Sequence, residues 1–377
     1  LKSLCMLIFL INSLKERRTG AKREEADQKI LKVMIRVLLP SFRKNHLNYL
    51  IDFWNGAIPL SNKKRLKIKN HNQYPFHQSP LYKLKSKKRL ADIFNVELSE
   101  LKSWFNTIPS EYNVFLNEKD REIQTPLNNL YIIHNRLANL LSRIETPSWL
   151  HSFKKNFSYL TNAKSHIDSR QVLTFDLKSF YQSTTQNAVR KFFKDTMLCS
   201  EDVSFFLSKI CCYNNHLPTG SQVSIYLCYL VNIKMFDEMR RLAVSRNALL
   251  TVYADDITVS GDKIDYSLLN TMRKIIVRHG YKLSEDKTLR FKYNEIPVIT
   301  GIALVQGELR PTNKFMSELR SKVYFLNRNA EELDIELLKK EKQRINGKIN
   351  YIESLNRPIP SQAIDINKKL DKLVPIT

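Results

Sequence analysis

The sequence predicts an α+β fold, an antiparallel sheet flanked by helices. Three observations predict it. Leu249-Leu250-Thr251-Val252-Tyr253 and Ile257-Thr258-Val259-Ser260 are short β-branched and apolar runs on either side of Ala254-Asp255-Asp256, the pattern of a hairpin with a tight turn. Val172-Leu173-Thr174-Phe175-Asp176 is a third such run, and it too ends in an acid. Elsewhere apolar residues recur at helical spacing, and 43% hydrophobic content over 377 residues is enough to bury a sizeable core across two or three domains.

The N-terminal apolar run at residues 4–11 is far short of the roughly 20 residues that cross a bilayer, and no small-residue cleavage site follows it, so no membrane association is expected. The chain begins with Leu, and Met6 and Met34 stand as alternative starts. Residues 24–54 carry apolar positions at helical spacing, divided by Pro40, and predict two helices. Between Ser61 and Leu90 there are ten Lys/Arg and no Asp/Glu, interleaved with Tyr74, Phe76 and Tyr82. Such a block suits a phosphate backbone with bases stacked on the rings, or else is a solvated basic loop. The 61 Lys+Arg against 37 Asp+Glu give a formal charge of +24, which favours a polyanionic partner, nucleic acid above all. Five cysteines without paired spacing support neither a disulfide framework nor a zinc site. They are expected as reduced, buried thiols of a cytoplasmic protein.

Tyr112-Asn113-Val114-Phe115-Leu116 and Arg121-Glu122-Ile123-Gln124-Thr125-Pro126 bracket the polar turn Asn117-Glu118-Lys119-Asp120 and predict a second hairpin. A helix over 127–143 follows, with Leu130, Ile133, Leu137, Leu140 and Leu141 on one face and His134 as an ordinary histidine. Asn162-Ala163-Lys164-Ser165-His166 precedes the strand ending at Asp176. Leu217-Pro218-Thr219-Gly220-Ser221 is a sharp, small-residue loop that opens one helix over 223–239. The C-terminal stretch from 315 is helical, and Gly347 within it, costing about 1 kcal/mol against alanine, is expected to mark a close backbone approach.

The acidic turn is where chemistry enters. A hairpin turn chosen for stability would carry Asn-Gly or Asp-Gly, and adjacent carboxylates repel unless a cation neutralises them. A solvated acidic turn is the plain alternative. A strand presenting Asp176 beside the hairpin would favour the other reading, because three carboxylates at one end of a sheet can hold two divalent ions roughly 3.5–4 Å apart for phosphoryl transfer, as in a polymerase palm.

The residues also resemble a family. Phe175-Asp176-Leu177-Lys178-Ser179-Phe180-Tyr181 is similar to motif A of reverse transcriptases, and Tyr253-Ala254-Asp255-Asp256 to their YxDD motif C, 79 residues separating Asp176 from Asp255. Residues 217–224 resemble motif B, with Thr219 where Gln is commoner and Gln222 where Pro is commoner; 280–288 resemble motif D. Asn162 to His166 and the triplet Ile299-Thr300-Gly301 resemble two signatures of bacterial retron enzymes, and the C-terminal Gly347, Tyr351 and Ile352 are similar to the thumb of the same group; residues 81–104 resemble the helical opening of bacterial reverse transcriptases. The resemblance covers about residues 79–356.

That resemblance implies a right-handed polymerase: residues 1–70 a helical extension, 71–168 fingers, 169–312 an antiparallel-sheet palm with the primer-grip region, and 313–377 a helical thumb. It implies RNA-directed DNA synthesis in which Asp176, Asp255 and Asp256 bind two Mg²⁺ ions, Mn²⁺ being a substitute, and Lys287 protonates the leaving pyrophosphate. Lys119 and Arg121 would lie over the incoming triphosphate, Tyr181 would gate against a ribose 2′-OH, and Gly220 would approach the nucleotide. Asn162, His166, Thr300 and Gly301 would contact RNA. The partners implied are dNTPs, a structured non-coding RNA serving as template and primer, its single-stranded DNA product (msDNA), and a separate effector protein in anti-phage defence. A group II intron or abortive-infection type reverse transcriptase is the near rival; an RNA-binding scaffold is the non-enzymatic one.

Overall fold

The structure, a computed structural model, describes residues 73–104 and 108–374. The expected N-terminal helices and the first half of the basic block lie outside them. In chain order the first elements are α1 (Lys87–Phe94), α2 (Leu98–Trp104), β1 (Tyr112–Leu116), β2 (Glu122–Pro126) and α3 (Asn128–Ser142). Ser86 caps α1, its Oγ accepting from the Arg89 amide at 3.4 Å. The β1–β2 turn works without glycine. Asn117 Oδ1 accepts from the amides of Lys119 (2.9 Å) and Arg121 (3.1 Å), and Asp120 takes the left-handed φ of 53° that glycine commonly supplies. The amphipathic face of α3 is buried as its spacing predicts, His134 included.

Next come α4 (Tyr159–Lys164), β3 (Gln171–Asp176), α5 (Phe180–Ser183), α6 (Gln186–Lys191), α7 (Glu201–Cys211), α8 (Ser224–Val231) and α9 (Ile233–Ser245). The single helix expected over 223–239 is thus two helices. Asn232 separates them at φ −103° and ψ 11°, its Nδ2 donating to the Cys228 carbonyl (2.8 Å), a side chain competing with the helix ladder.

Then follow β4 (Leu249–Tyr253), β5 (Asp256–Gly261), α10 (Tyr266–Arg278) and β6 (Leu289–Phe291). The sheet order is β4-β5-β3-β6, antiparallel throughout. Because side chains alternate along each strand, the register sorts the two faces. Leu250, Val252, Leu173, Phe175, Ile257 and Val259 share one face and are all buried, each worth roughly 1.5–3 kcal/mol when fully removed from water. The other face is polar: Thr251, Thr258 and Thr174 align across three strands, with Tyr253, Asp256 and Asp176 in the row ahead of them.

A meander of β7 (Val298–Ile299), β8 (Ile302–Val305) and β9 (Glu308–Pro311) comes next. Its two turns, Thr300-Gly301 and Gln306-Gly307, each have positive φ at both positions (46° and 82°, 51° and 74°), as twist-matched two-residue hairpins require. The chain closes with α11 (Asn313–Asn329), α12 (Ile335–Ser354) and α13 (Ser361–Leu373), packed through Leu319, Leu326, Ile345, Ile352, Ile366 and Leu370. Gly347 lies on the exposed side of α12, and a Cβ there would meet nothing within 4 Å. The close approach expected of it is absent among the described residues.

Cys199, Cys211, Cys212 and Cys228 are free and buried, as expected. Among the described residues no helix is long and apolar enough to cross a membrane.

Candidate active site

Tyr253 of β4 pairs with Asp256 of β5, so Ala254-Asp255 is the whole turn. Ala254 is held at φ 55°, a conformation that costs an L-residue roughly 1–2 kcal/mol. The strain tightens a turn whose Asp255 carbonyl accepts from the Leu177 amide (3.1 Å), tying the end of β3 to it. Asp176 stands directly opposite Asp256 in the β3–β5 ladder. The three acids are therefore gathered at one end of the sheet, two across a ladder and one at the adjoining turn.

Their electrostatics are those of an under-neutralised cluster. Asp176 is buried and accepts from Ser284 Oγ (2.5 Å) and Lys287 Nζ (3.0 and 3.2 Å). That pairing raises the Lys287 pKa. Burial, then the charges of Asp255 and Asp176, pushes Asp256 up to about 7. Burial and Asp176 also raise Asp255, with Lys287 and Arg121 pulling the other way. Among the described residues no three His, Cys, Asp or Glu side chains are drawn together as a metal shell. The donors are nonetheless the hard carboxylate oxygens that a divalent cation prefers, and one lysine cannot neutralise three of them.

Around this cluster, Lys119 and Arg121 are exposed on the β1–β2 hairpin, Arg121 near enough for its field to reach Asp255. Tyr181 on α5 is half-buried beside Cys228, and burial raises its hydroxyl pKa. Gly220 lies against β2, its amide donating to the Gln124 carbonyl (3.0 Å), so its lack of a side chain serves that strand. His134 is a core residue, its ring nitrogens 2.6 Å from Ser221 Oγ and 2.8 Å from the Ile210 carbonyl. Tyr74, one of the rings offered for base stacking, is instead buried and donates to the Leu140 carbonyl (2.7 Å).

The expectation for Asn162 and His166 needs correction. Both are wholly buried, so neither presents its side chain to RNA. His166 braces the acidic hairpin from the sheet face that also bears Asp176 and Asp256: Nε2 is 2.7 Å from Thr251 Oγ1 on β4, and Nδ1 is 2.6 Å from Ser260 Oγ on β5. Burial lowers its pKa to about 3, which keeps the ring neutral. Thr300 and Gly301 face a cleft of about 470 Å³ that is also lined by Tyr159, Tyr253, Asp256 and Lys287. Thr300 Oγ1 donates to the Tyr159 carbonyl (3.1 Å), and Tyr351 Oη of α12 donates to the Gly301 carbonyl (3.0 Å). The segments at 162–166 and 299–301 thus meet through α4 and the β7–β8 turn, and α12 joins them.

Sequence reasoning missed Ser284, Gln124, Tyr159 and the bonding role of Tyr351. Ser284 sits within the stretch resembling motif D, three residues before Lys287, and that spacing was the available signal.

No family model matches the chain. The chain is 26% identical over 326 residues to Retron Se72 reverse transcriptase of Salmonella heidelberg (strain 579083-10), covering 81% of this chain and 83% of that protein. It is 26% identical over 288 residues to Retron Ec86 reverse transcriptase of Escherichia coli, covering 74% and 87%. Retron Mx65 reverse transcriptase of Myxococcus xanthus is 27% identical over 268 residues, 64% of this chain and 59% of its own. With three acids gathered at one end of an antiparallel sheet, these similarities make the chain a relative of the retron-type reverse transcriptases.

Proposed function

We propose that the chain is an RNA-directed DNA polymerase that copies part of a cognate structured non-coding RNA into single-stranded DNA. The observation that carries the reading is Asp176 paired across the ladder with Asp256, with Asp255 at the turn between β4 and β5. In this reading β1 and β2 belong to the fingers, the β4-β5-β3-β6 sheet is the palm, and α11 to α13 form the thumb. Asp176, Asp255 and Asp256 would hold Mg²⁺, which when bound activates the primer hydroxyl and offsets phosphate charge.

The remaining roles follow from the residues' own chemistry. Lys287 keeps its proton, since pairing with Asp176 raises its pKa; Nζ could release that proton to departing pyrophosphate. Lys119 and Arg121 would meet the triphosphate from the hairpin, where cations oppose developing negative charge. Tyr181 would exclude a ribose 2′-OH by its bulk. Thr300 and Gly301, on the rim of the cleft beside Asp256, would meet the nucleic-acid strand through their backbone. By resemblance the proposal extends to msDNA synthesis in anti-phage defence with a separate effector protein.

Primer extension on an RNA template with dNTPs, with and without Mg²⁺, tests the polymerase. Asp255→Ala or Asp256→Ala should abolish synthesis yet leave RNA binding nearly intact, because phosphate contacts supply most affinity; undiminished synthesis would refute the acid assignment. Sequencing co-purified nucleic acid before and after debranching tests the retron reading: a short RNA encoded beside the gene, with DNA joined through a guanosine 2′-OH, is expected. An intron RNA, or random transcripts carrying unbranched DNA, would overturn it.

A further inference from the structure

Gln124 is 1% exposed on β2, and every polar group of its side chain is used. Its Oε1 accepts from the Thr219 amide (3.0 Å) and lies 3.1 Å from Thr219 Oγ1, while its Nε2 donates to Glu122 Oε1 (2.7 Å). Its own carbonyl accepts from the Gly220 amide (3.0 Å). Thr219 Oγ1 also lies 3.1 Å from the Glu122 carbonyl. The loop before α8 is thereby laid along β2 as though it were another strand.

Gly220 shows how close that approach is. A Cβ at this position would stand 2.6 Å from the Gln124 carbonyl oxygen, 2.7 Å from Thr125 Oγ1 and 2.9 Å from Ile123 Cγ2. The next residue fixes the other side of the loop, with Ser221 Oγ on His134 of α3 (2.6 Å). Arg121, at the start of the same hairpin arm, projects its field onto Asp255 and Lys287. The hairpin arm that carries Arg121 and the small-residue loop leading into α8 are therefore joined along β2, and the Gln124 side chain supplies two of the contacts between them.

We propose that Gln124 is a positioning residue for nucleotide selection, its amide coupling the β1–β2 hairpin to the Thr219-Gly220 loop so that both close on an incoming deoxynucleotide together. The inference rests on the polymerase reading. An amide suits the task because it supplies an acceptor for Thr219 and a donor for Glu122 at once. An apolar side chain of the same volume would leave the half-buried Thr219 amide without this partner.

Single-nucleotide primer extension by the full chain, with Mg²⁺, tests it. Gln124→Met preserves volume and removes the side-chain bonds; it should raise KM for dNTP about tenfold with kcat and template-primer affinity within about twofold. Thr219→Val deletes the hydroxyl without touching β2 and should act in the same direction more weakly, which keeps the test decisive if the first variant folds poorly. The two together should fall short of the sum of the single effects, since both remove the contact between Gln124 Oε1 and Thr219 Oγ1. The double variant Glu122→Gln/Gln124→Glu exchanges amide and acid at unchanged net charge and should bring KM most of the way back to the wild-type value. Unchanged KM in folded Gln124→Met and Thr219→Val, or a fall confined to kcat and thermal stability, would overturn the coupling role. An inactive wild-type chain would instead sink the polymerase reading beneath it.

Discussion

The hydroxyl of Tyr351 donates to the carbonyl of Gly301, 3.0 Å away, joining the C-terminal helices to the turn that borders the acid cleft. The Tyr351 ring also stacks on Tyr159 (6.2 Å, 24°) and packs on Phe315 (4.6 Å), over a small core of Ala163, Ile299, Ile302 and Leu355. Bond and ring can be separated. Tyr351→Phe should cost only about 0.5–1.5 kcal/mol, the net worth of one hydrogen bond. Tyr351→Ala should cost about 2–3 kcal/mol and shorten extension products, because the helix bundle loses its seat on the sheet. Thermal melts and product-length analysis check both; equal effects from the two variants would deny the ring its role.

Asp256 supplies a prediction about pH. Its folded pKa is raised from the ordinary carboxylate value to about 7. Between about pH 4 and 7 the folded chain therefore holds a proton that the unfolded chain has released, so its stability without metal falls as pH rises through that window. Asp256→Asn should remove much of that fall and melt higher than wild type at pH 8 in a chelator. Added Mg²⁺ should raise the wild-type melting temperature at pH 8 more than the variant's. A wild type insensitive to pH and to Mg²⁺ would contradict the picture of an under-neutralised cluster.

His166 is a brace rather than a reader of RNA. His166→Ala would strand Thr251 Oγ1 and leave Ser260 Oγ with Ser169 alone (2.8 Å), on the two strands of the acidic hairpin. A loss of about 2–4 kcal/mol is expected from the void and the unmet hydroxyl. Synthesis should fall at least about tenfold with RNA affinity unchanged. A selective loss of RNA affinity in a stable His166→Ala protein would restore the RNA-contact reading.

The strands bearing the acids were legible because short β-branched and apolar runs stand next to charged ends, and the β1–β2 hairpin because two runs bracket a polar turn. Other elements were not. β7 and β8 are two and four residues long, too short for a period to show, and they owe their place to packing under Tyr351 and Leu355. α10 went unread although Leu268, Leu269, Met272, Ile275 and Ile276 recur at helical spacing after the cap Asp265, whose Oδ1 accepts from the Leu268 amide (2.7 Å). The break at Asn232 was hidden by one polar residue inside an apolar run. The work of His166 could not be read at all, since its bonding partners lie 85 and 94 residues away in the chain. Motif spacing finds the groups that do chemistry; what holds them emerges only when distant segments meet.

Glu118, at the tip of the β1–β2 turn, binds Lys340 (2.9 Å) and Arg344 (2.8 and 3.0 Å) of α12. Arg344 is anchored in turn by Glu341, which is buried and also holds Lys322. A nucleic-acid strand entering between the hairpin and α12 must part Glu118 from these cations, and its phosphates would then take them. Exposed ion pairs are weak and screened by salt, so the contact is easily exchanged. Glu118→Gln should therefore tighten template-primer binding several-fold at low salt. It should also steepen the salt dependence, by about 0.7–0.9 in log–log slope for each cation released to a phosphate. Fluorescence anisotropy across a salt series reads both quantities, and an unchanged slope would mean that Lys340 and Arg344 do not face the bound strand.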